Sequence, residues 1–356
     1  MNETLLKVLL LADSRSFHTQ RYAEQLRSLG CTVLLASMEQ SESGECLLKK
    51  RGPVKSLHYA LARSEIYDLA KQFKPDVINP HFASGYGFMS AFASLQKLAP
   101  VVLNLWGSDI LLVPSKSMLH RQKTIFALRK ADLVIGDSEF LLSKARELYP
   151  FAKSKVIVWG IEREYLKLHR TDYSPNKPLR IIVPRPHESV YDNLFILSSL
   201  TDLINSGKIL ITFPQAGSQF EFFQGRAREL TGDKVKFYAP LPRDRFIPFM
   251  AEHDLYLSAS RSDSSPASLI EAMGLGLIPV AANIEGVREW LSDDSGFRYE
   301  PENETALADL VTKLAGSSDT NERMRQANFK RVKNTAIFEE NVAEMIELMT
   351  RLVRER

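Results

Sequence analysis

The chain has 356 residues, 44% of them hydrophobic and 25% charged, which is the composition of an ordinary globular protein with two domains. The net charge of +3 conceals an asymmetry. Residues 1–168 carry 23 Lys and Arg against 16 Asp and Glu, whereas the remainder carries 23 against 27. The basic first half predicts an anionic partner or surface on that side, although a solvated charged face gives the same pattern.

Several classes are disfavoured by simple features of the chain. Cys31 and Cys46 have no metal-binding or redox spacing, which favours a reducing, cytoplasmic compartment. The apolar start at residues 5–12 is short and contains Lys7, so it predicts a buried strand rather than a signal peptide or membrane span. No Walker sequence or Gly-rich phosphate fingerprint occurs.

Strands and helices alternate in the first half, which predicts a parallel sheet covered on both faces. Strands are expected at residues 5–12, 32–37, 75–82, 100–109, 132–138 and 155–161. Helices are expected at residues 18–30, 58–73, 85–99, 115–131 and 140–150.

The alternation lapses at residues 162–178, which we interpret as a linker, and then restarts. Strands are expected at residues 179–185, 208–217, 235–241 and 254–260, with helices at 193–207, 220–232 and 244–253. Two similar α/β halves predict a ligand in the cleft between them, outside the carboxyl ends of the strands.

The segment "SRSDSSPASLIEAMGLGLIPV" (260–280) contains two carboxylates, Asp263 and Glu271. Ser265 is typical of an N-cap and Pro266 of a first helical turn, and the glycines of "GLG" end the predicted helix. The helical rise of about 1.5 Å per residue separates the carboxylates too far to flank one glycosidic bond as acid and base. Two interpretations remain: a phosphate cradle at the helix start, or a capped helix that binds nothing.

Other polar residues follow predicted strands. Arg185 ends the first strand of the second half, where its planar fork suits a diphosphate. "WGSD" (106–109) ends another strand, and His18 and His81 lie beside strand ends in the same half. Each has an ordinary alternative, such as a turn, a cap or a structural histidine.

Taken in order, these motifs resemble the retaining nucleotide-sugar glycosyltransferases of family 4, which have the GT-B fold. The match rests on Asp263, seven residues, Glu271 and "AMGLGLIPV", with support from Arg185, "ADLVIGDSEFL", "VIVWGIE" and "HTQRYAEQL". The resemblance implies an α/β fold of two facing Rossmann-like domains with the active site in the cleft. It divides the chain into residues 1–165, 166–336 and a final helix, 337–356, that crosses back toward the first domain.

The resemblance also implies residue roles. Glu271 is expected to bind the nucleotide ribose, Asp263 the hydroxyls of the donor sugar, and Arg185 the diphosphate. The expected donor-binding residues are Arg185, Tyr191, Ser264, Ser265, Ala267, Ser268 and Glu271. The expected catalytic residues are Asp263, Arg185 and His81, and the expected acceptor-side residues are His18, Trp106, Ser108 and Asp109.

Three positions depart from the family pattern. Asp263 stands where glutamate is usual, and Trp106 stands where many relatives have histidine. No lysine follows Arg185, where "SVYDN" supplies Tyr191 and Asn193 instead. These departures leave the fold expectation intact and leave the donor open.

The implied function is transfer of a hexose, with retention, from a UDP- or GDP-sugar to a glycan or lipid-linked acceptor, in surface polysaccharide or glycoconjugate assembly. We expect no metal, no other cofactor and no nucleic-acid partner. Residues 47–55 and 115–130 interleave basic and apolar side chains, which predicts docking on an anionic membrane at the inner face. The alternatives are a nucleotide-sugar epimerase of the same fold and a non-catalytic relative that binds nucleotide or glycan.

Overall fold

A computed structural model describes residues 6–41, 46–50, 52, 55–171, 174–317 and 321–356. The chain forms two compact units. Unit 1 comprises Met1–Val158 and Glu339–Arg356, and unit 2 comprises Trp159–Phe338. The first boundary thus precedes the one expected after residue 165. Both units contain parallel sheets and helices, which confirms the predicted α/β class.

The strands of unit 1 are short apolar runs, as is typical of parallel sheets buried between helices. They are β1 (Lys7–Leu11), β2 (Thr32–Ser37), β3 (Cys46–Leu47), β4 (Val77–Pro80), β5 (Val102–Asn104), β6 (Leu133–Gly136) and β7 (Ser154–Val156). They pair in the orders β3-β2-β1-β4 and β5-β6-β7. Single parallel bridges join Ile78 to Val101 and His81 to Asn104, between the two groups of strands.

The helices of unit 1 cover these strands. They are α1 (Phe17–Ser28), α2 (Lys55–Leu61), α3 (Arg63–Phe73), α4 (Phe88–Phe92), α5 (Ser108–Leu111), α6 (Val113–Lys116), α7 (Met118–Lys130) and α8 (Glu139–Leu148). Two expected helices are wrong in detail. The helix expected at 58–73 is interrupted at the buried Ala62, whose ψ of 2° leaves the helical range. The helix expected at 85–99 is a π-helix at Phe82–Gly87, then α4, then a 3₁₀ turn, because Ser94 has a left-handed backbone (φ 58°).

Unit 2 contains one six-stranded parallel sheet in the order β10-β9-β8-β11-β12-β13. Its strands are β8 (Leu179–Ile182), β9 (Ile209–Pro214), β10 (Lys236–Tyr238), β11 (Leu255–Ser258), β12 (Ile278–Ala282) and β13 (Phe297–Tyr299). Its helices are α9 (Asn193–Asn205), α10 (Phe220–Thr231), α11 (Arg243–Ala251), α12 (Ala267–Leu275), α13 (Glu285–Arg288), α14 (Glu304–Gly316) and α15 (Glu322–Thr335).

The strand order reverses once in each unit. In unit 2 the reversal lies between β8 and β11, and in unit 1 it lies between β1 and β4. At such a reversal the loops after the two strands run to opposite faces, so a crevice opens at the carboxyl ends of the strands. These two switch points are where the fold is able to hold a ligand.

The segment expected to be a linker has structure of its own. A 3₁₀ helix occupies Arg163–Leu168. Further along, the fully buried Asp254 accepts hydrogen bonds from Asn176 and Arg170 and thereby fixes the approach to β8. Residues 172–173 of the expected linker lie outside the described residues.

The final helix, α16 (Phe338–Arg354), follows unit 2 in the chain, yet from Glu339 onward it belongs to unit 1. Asn341 Nδ2 donates to the Val158 carbonyl at 2.8 Å, and Lys155 Nζ lies 2.7 Å from a Glu344 carboxylate oxygen. No helix among the described residues is long and apolar enough to span a membrane.

Candidate functional site

Two of the expected site residues meet at the switch point of unit 2. Arg185 follows β8, and Asp263 follows the neighbouring strand β11. Arg185 Nη2 donates to Asp263 Oδ2 at 2.7 Å, with both side chains largely buried (13% and 16% exposed). The parallel sheet therefore brings together a guanidinium and a carboxylate that are 78 positions apart in the chain.

Three further residues hold Arg185 in place. Asn193 Nδ2 donates to the Arg185 carbonyl at 3.0 Å and lies 3.1 Å from His187 Nδ1. The Tyr191 ring lies under the guanidinium, 5.0 Å from ring centroid to Cζ. Because these contacts fix both the backbone and the side chain, the cation is preorganised.

The charge of Arg185 is secured by its partner. Burial alone disfavours a guanidinium cation, but the neighbouring Asp263 carboxylate raises the Arg185 pKa well above its ordinary value. Arg185 is accordingly a permanent, partly desolvated cation at the carboxyl end of β8.

The loop into α12 differs from the sequence prediction. Pro266, not Ser265, is the N-cap residue, and the helix begins at Ala267. The Ser265 hydroxyl makes no cap hydrogen bond to the helix and instead accepts one from Trp290 Nε1 at 2.8 Å. The helix does end at "GLG" as expected: Gly274 lies in its last turn, and Gly276 takes the left-handed position after it (φ 84°).

The same loop also packs closely against the backbone of Gly286. A Cβ atom placed on Gly286 would lie 2.1 Å from the Asp263 carbonyl oxygen, so only glycine fits there. Ser264 and Ser265 are buried in this loop, and Ser268 in the first turn lies 3.3 Å from the Tyr256 hydroxyl. The helix start is thus packed tightly beside Asp263 and presents backbone amides with no intrahelical partner.

Glu271 lies in a second charged cluster that the sequence did not indicate. Its buried carboxylate accepts from Arg243 Nη1 at 2.5 Å, while the Arg243 Nε and Nη2 atoms donate to Glu162. Burial opposes the charge of Arg243, but Glu271 and Glu162 raise its pKa well above the ordinary value. Arg243 is the first residue of α11, directly after the loop that follows β10, and this position was its one sequence signal.

The expected acceptor-side residues form an aromatic cluster at the switch point of unit 1. The Trp106 ring centroid lies 5.7 Å from that of His18, 5.4 Å from that of His81 and 5.6 Å from that of Phe82, which is parallel to it. Tyr22 packs on the other side of His81 at 5.4 Å. His18 and Trp106 are half-buried, whereas His81 is only 1% exposed.

Asp109, one of the expected acceptor-side residues, has its carboxylate bonded within the protein. It is fully buried, and its carboxylate accepts from the backbone amides of Ala83 at 2.7 Å and Trp106 at 3.0 Å. It therefore ties the loop after β5 to the start of the π-helix. Ser108 beside it is exposed at the start of α5.

Burial shifts both titratable groups of this region toward their neutral forms. It lowers the pKa of His81 to about 3 and, against the pull of several backbone amides, raises the pKa of Asp109 to about 6. His81 is consequently a neutral imidazole at pH 7.

Within the described residues, no group of three or more His, Cys, Asp and Glu side chains is arranged to hold a metal ion. At the unit 2 switch point the Arg185 guanidinium, serine hydroxyls and the backbone amides at the start of α12 are groups that recognise an anion, and the Asp263 carboxylate lies beside them.

Comparison with known families gives one match in each half of the chain. Residues 7–138 match the family described as "Glycosyl transferase 4-like", and residues 207–331 match "Glycosyl transferases group 1". Together the two matches cover well over half of the chain. The chain belongs to the family 4-like, GT-B glycosyltransferases. The first match contains His18, His81 and Trp106, and the second contains Asp263 and Glu271.

Two relatives of this chain are similar to it over part of their length. One is the sulfoquinovosyl transferase SQD2 of Arabidopsis thaliana, 25% identical over 331 residues, which covers 83% of this chain and 62% of the relative. The other is named as a teichuronic acid biosynthesis glycosyltransferase, TuaC of Bacillus subtilis, 24% identical over 256 residues, 67% of this chain and 61% of the relative. The match thus spans little more than three fifths of either relative.

A solved structure extends the fold comparison to nearly the whole chain. HepE of Anabaena, in complex with UDP-glucose, has a TM-score of 0.76 at 17% identity and covers 98% of both chains. At this identity the likeness concerns the fold.

Proposed function

We propose that the protein is a retaining, metal-independent glycosyltransferase that moves a hexose from a nucleoside diphosphate sugar to an acceptor hydroxyl. The observation that carries the proposal is the Arg185–Asp263 pair at the switch point of unit 2, beside the start of α12. A guanidinium and free helix amides recognise a diphosphate, and a carboxylate recognises sugar hydroxyls.

In this proposal Arg185 stabilises the departing diphosphate. Negative charge grows on the leaving oxygen as the sugar–phosphate bond breaks, so a fixed cation lowers the barrier more than it strengthens donor binding. The α12 amides near Ala267 and Ser268 add partial positive charge. Asp263 orients the sugar, and Glu271, one turn further along the helix, accepts from the ribose.

We assign the acceptor side to unit 1, where His18, Trp106 and Ser108 remain accessible and the buried His81 packs against Trp106. Neutral imidazole and indole groups suit an uncharged hydroxyl-bearing acceptor rather than a second anion. The HepE complexes with UDP-glucose and with UDP support a UDP-sugar as the first donor to test. The names of SQD2 and TuaC support glycoconjugate or surface-polymer assembly as the setting.

The test is a thermal-shift screen of UDP- and GDP-sugars on the full chain, followed by a transfer assay with the stabilising donor and a membrane extract as acceptor source. A ligand at about 100 times its Kd stabilises the folded state by roughly 2.7 kcal/mol, which is readily seen. We expect one donor to stabilise the parent and the Arg228→Ala control, in which an exposed arginine is lost, but to stabilise Arg185→Ala less.

Three outcomes would oppose the proposal. Turnover of the donor without any acceptor would indicate an epimerase. Stabilisation by a donor with no transfer to any acceptor would indicate a binding protein. Equal stabilisation of Arg185→Ala and the parent would place the diphosphate elsewhere.

A further inference from the structure

A surface on unit 1, which includes part of the segment 115–130 noted in the sequence, combines apolar and basic side chains. It is formed by α4 and α7, and we name it the α4/α7 face. Its groove has a volume of about 360 Å³ and is lined by Phe88, Phe92, Leu119, Gln122, Lys123, Ile125, Phe126 and Arg129.

The apolar side chains at this face are unusually exposed for their size. Met118 and Leu119 at the start of α7 are 70% and 61% exposed, and Phe92 at the end of α4 is 38% exposed. Adjacent exposed apolar side chains of this kind mark an interaction surface, whereas single ones are ordinary.

The chain segment that contains α4 and α7 is one-sided in charge. Residues 77–131 contain one carboxylate, Asp109, which is fully buried and bonded to backbone amides. The same stretch contains six basic residues: Lys97, Lys116, Arg121, Lys123, Arg129 and Lys130. The exposed charge contributed by these 55 residues is therefore entirely positive.

The cations also lie against the aromatic rings. Lys123 Nζ is 5.1 Å from the Phe88 centroid, Arg129 Cζ is 5.3 Å from that of Phe126, and Arg63 Cζ of α3 is 5.4 Å from that of Phe92. Long basic side chains arranged in this way bury their stems on apolar surface and keep their charges at its rim.

We propose that the α4/α7 face docks on an anionic phospholipid bilayer. Met118, Leu119 and Phe92 would enter the boundary of the acyl chains, and the cations around them would meet lipid phosphates, which lie just above that boundary. Exposed apolar side chains with cations beside them, and no exposed carboxylate in the same 55 residues, match a surface in which phosphates lie above acyl chains. The proposal is independent of sugar transfer, since it involves none of the residues assigned to donor or acceptor.

The experiment is co-sedimentation of the full chain with vesicles of phosphatidylglycerol and, separately, of phosphatidylcholine. We expect binding to the anionic vesicles only. This binding should fall steeply as the salt concentration is raised from about 50 to about 500 mM, because screening increases. Leu119→Asp should weaken binding about tenfold or more, because it removes an inserted side chain and adds a repelled charge. Arg129→Gln should weaken it about fivefold.

Phe222→Asp is the matched control, since Phe222 is also 61% exposed but lies on α10 of unit 2. It should bind vesicles like the parent. Equal partitioning to both vesicle types, no binding to either, or equal weakening by Phe222→Asp and Leu119→Asp would overturn the proposal. Self-association abolished by Leu119→Asp in the absence of lipid would likewise overturn it and assign the face to a second copy of the chain.

Discussion

The two switch points of this protein have the same topology and different buried chemistry. In unit 2 the largely buried residues that follow the strands are ion-paired: Arg185 with Asp263, and Arg243 with Glu271 and Glu162. In unit 1 the buried and half-buried residues beside β4 and β5 are aromatic rings and a neutral histidine, and the ion pairs that follow β1 and β2 include those of Arg15, which is 55% exposed, with Asp13 and Glu39. Fixed charges suit a charged ligand, and rings with neutral polar groups suit an uncharged one. The proposed division between a donor side in unit 2 and an acceptor side in unit 1 is thus one of electrostatics as well as of position.

A second comparison lies within unit 2, where two arginines each bridge two carboxylates. Arg243, with 13% of its side chain exposed, joins Glu271 and Glu162, whereas Arg261, with 50% exposed, joins Asp192 and Glu302. Breaking a buried ion pair leaves a desolvated charge behind, whereas breaking an exposed one returns both groups to water.

The largest effect on stability is expected at Arg243. Arg243→Met should lower the free energy of unfolding by about 3–5 kcal/mol, because two buried carboxylates lose their cation. Arg261→Met should lower it by at most about 1 kcal/mol. Chemical denaturation of both variants checks this, and similar losses for the two would show that burial does not distinguish them.

The next largest effect is expected on turnover at Arg185. Arg185→Ala should reduce kcat by roughly 100-fold or more, the effect of removing one preorganised donor to a developing anion. Arg185→Lys should recover only part of this, because a point charge cannot bridge two phosphate oxygens. Steady-state kinetics with the identified donor and acceptor measure both. A kcat within a few-fold of the parent for Arg185→Ala would mean that another cation holds the diphosphate, with Arg243 the first alternative to test.

A smaller effect is expected on nucleotide binding at Glu271. Glu271→Ala should weaken binding of free nucleoside diphosphate by about 1.5–3 kcal/mol, the range for hydrogen bonds to a charged group. Because Glu271 also contacts Arg243, the control is Glu162→Gln, which perturbs Arg243 but leaves Glu271 in place. Calorimetric titration should show near-parental affinity for the control. Parental affinity in Glu271→Ala would remove the ribose assignment, and equal losses in both variants would assign the effect to Arg243.

Much of the fold could be predicted from the sequence, because buried parallel strands appear as short apolar runs between helical segments. The apolar runs and their alternation with helices predicted a strand at β1, at β2 and at each of β4 to β11. The expected strands ran five residues past the observed ends of β5 and β7, and the short strands β3 and β13 were not predicted. Strand ends then predicted where Arg185 and Asp263 lie. That β8 and β11 are neighbours was not readable from local pattern, since strand order depends on how helices cross the sheet.

The parts that were missed depend on tertiary contacts. Ser265 stands where the sequence predicts an N-cap, but its hydroxyl accepts a hydrogen bond from Trp290, 25 positions later. Arg243 stands in "PRDRF" beside another arginine, and nothing local shows that it alone turns toward Glu271 and Glu162. A local pattern predicts which groups are available for hydrogen bonding and ion pairing, whereas packing selects which of them pair.

A further effect, on the pH dependence of stability, differs in sign between the two buried titratable groups of unit 1. The folded-state pKa of His81, about 3, lies below its ordinary value of 6.5, so its contribution to stability is present above pH 6.5 and is lost as pH falls toward 3. The folded-state pKa of Asp109, about 6, lies above its ordinary value of 3.8, so its contribution is present below about pH 4 and is lost as pH rises through 6. Between about pH 4 and 6 the two contributions have opposite slopes.

Removing each group should therefore change the pH dependence of stability in opposite directions. Relative to the parent, the free energy of unfolding of His81→Gln should increase by about 1.4 kcal/mol per pH unit as pH falls from 6 to 4. The reason is that only the parent loses stability when unfolding allows His81 to take up a proton. The free energy of unfolding of Asp109→Asn, relative to the parent, should decrease over the same range, because only the parent gains stability on protonation. Lost packing shifts each curve by a constant and leaves its slope unchanged. Denaturation of both variants at pH 4, 5 and 6 measures the slopes, and slopes of the same sign would show that these groups do not titrate as their burial requires.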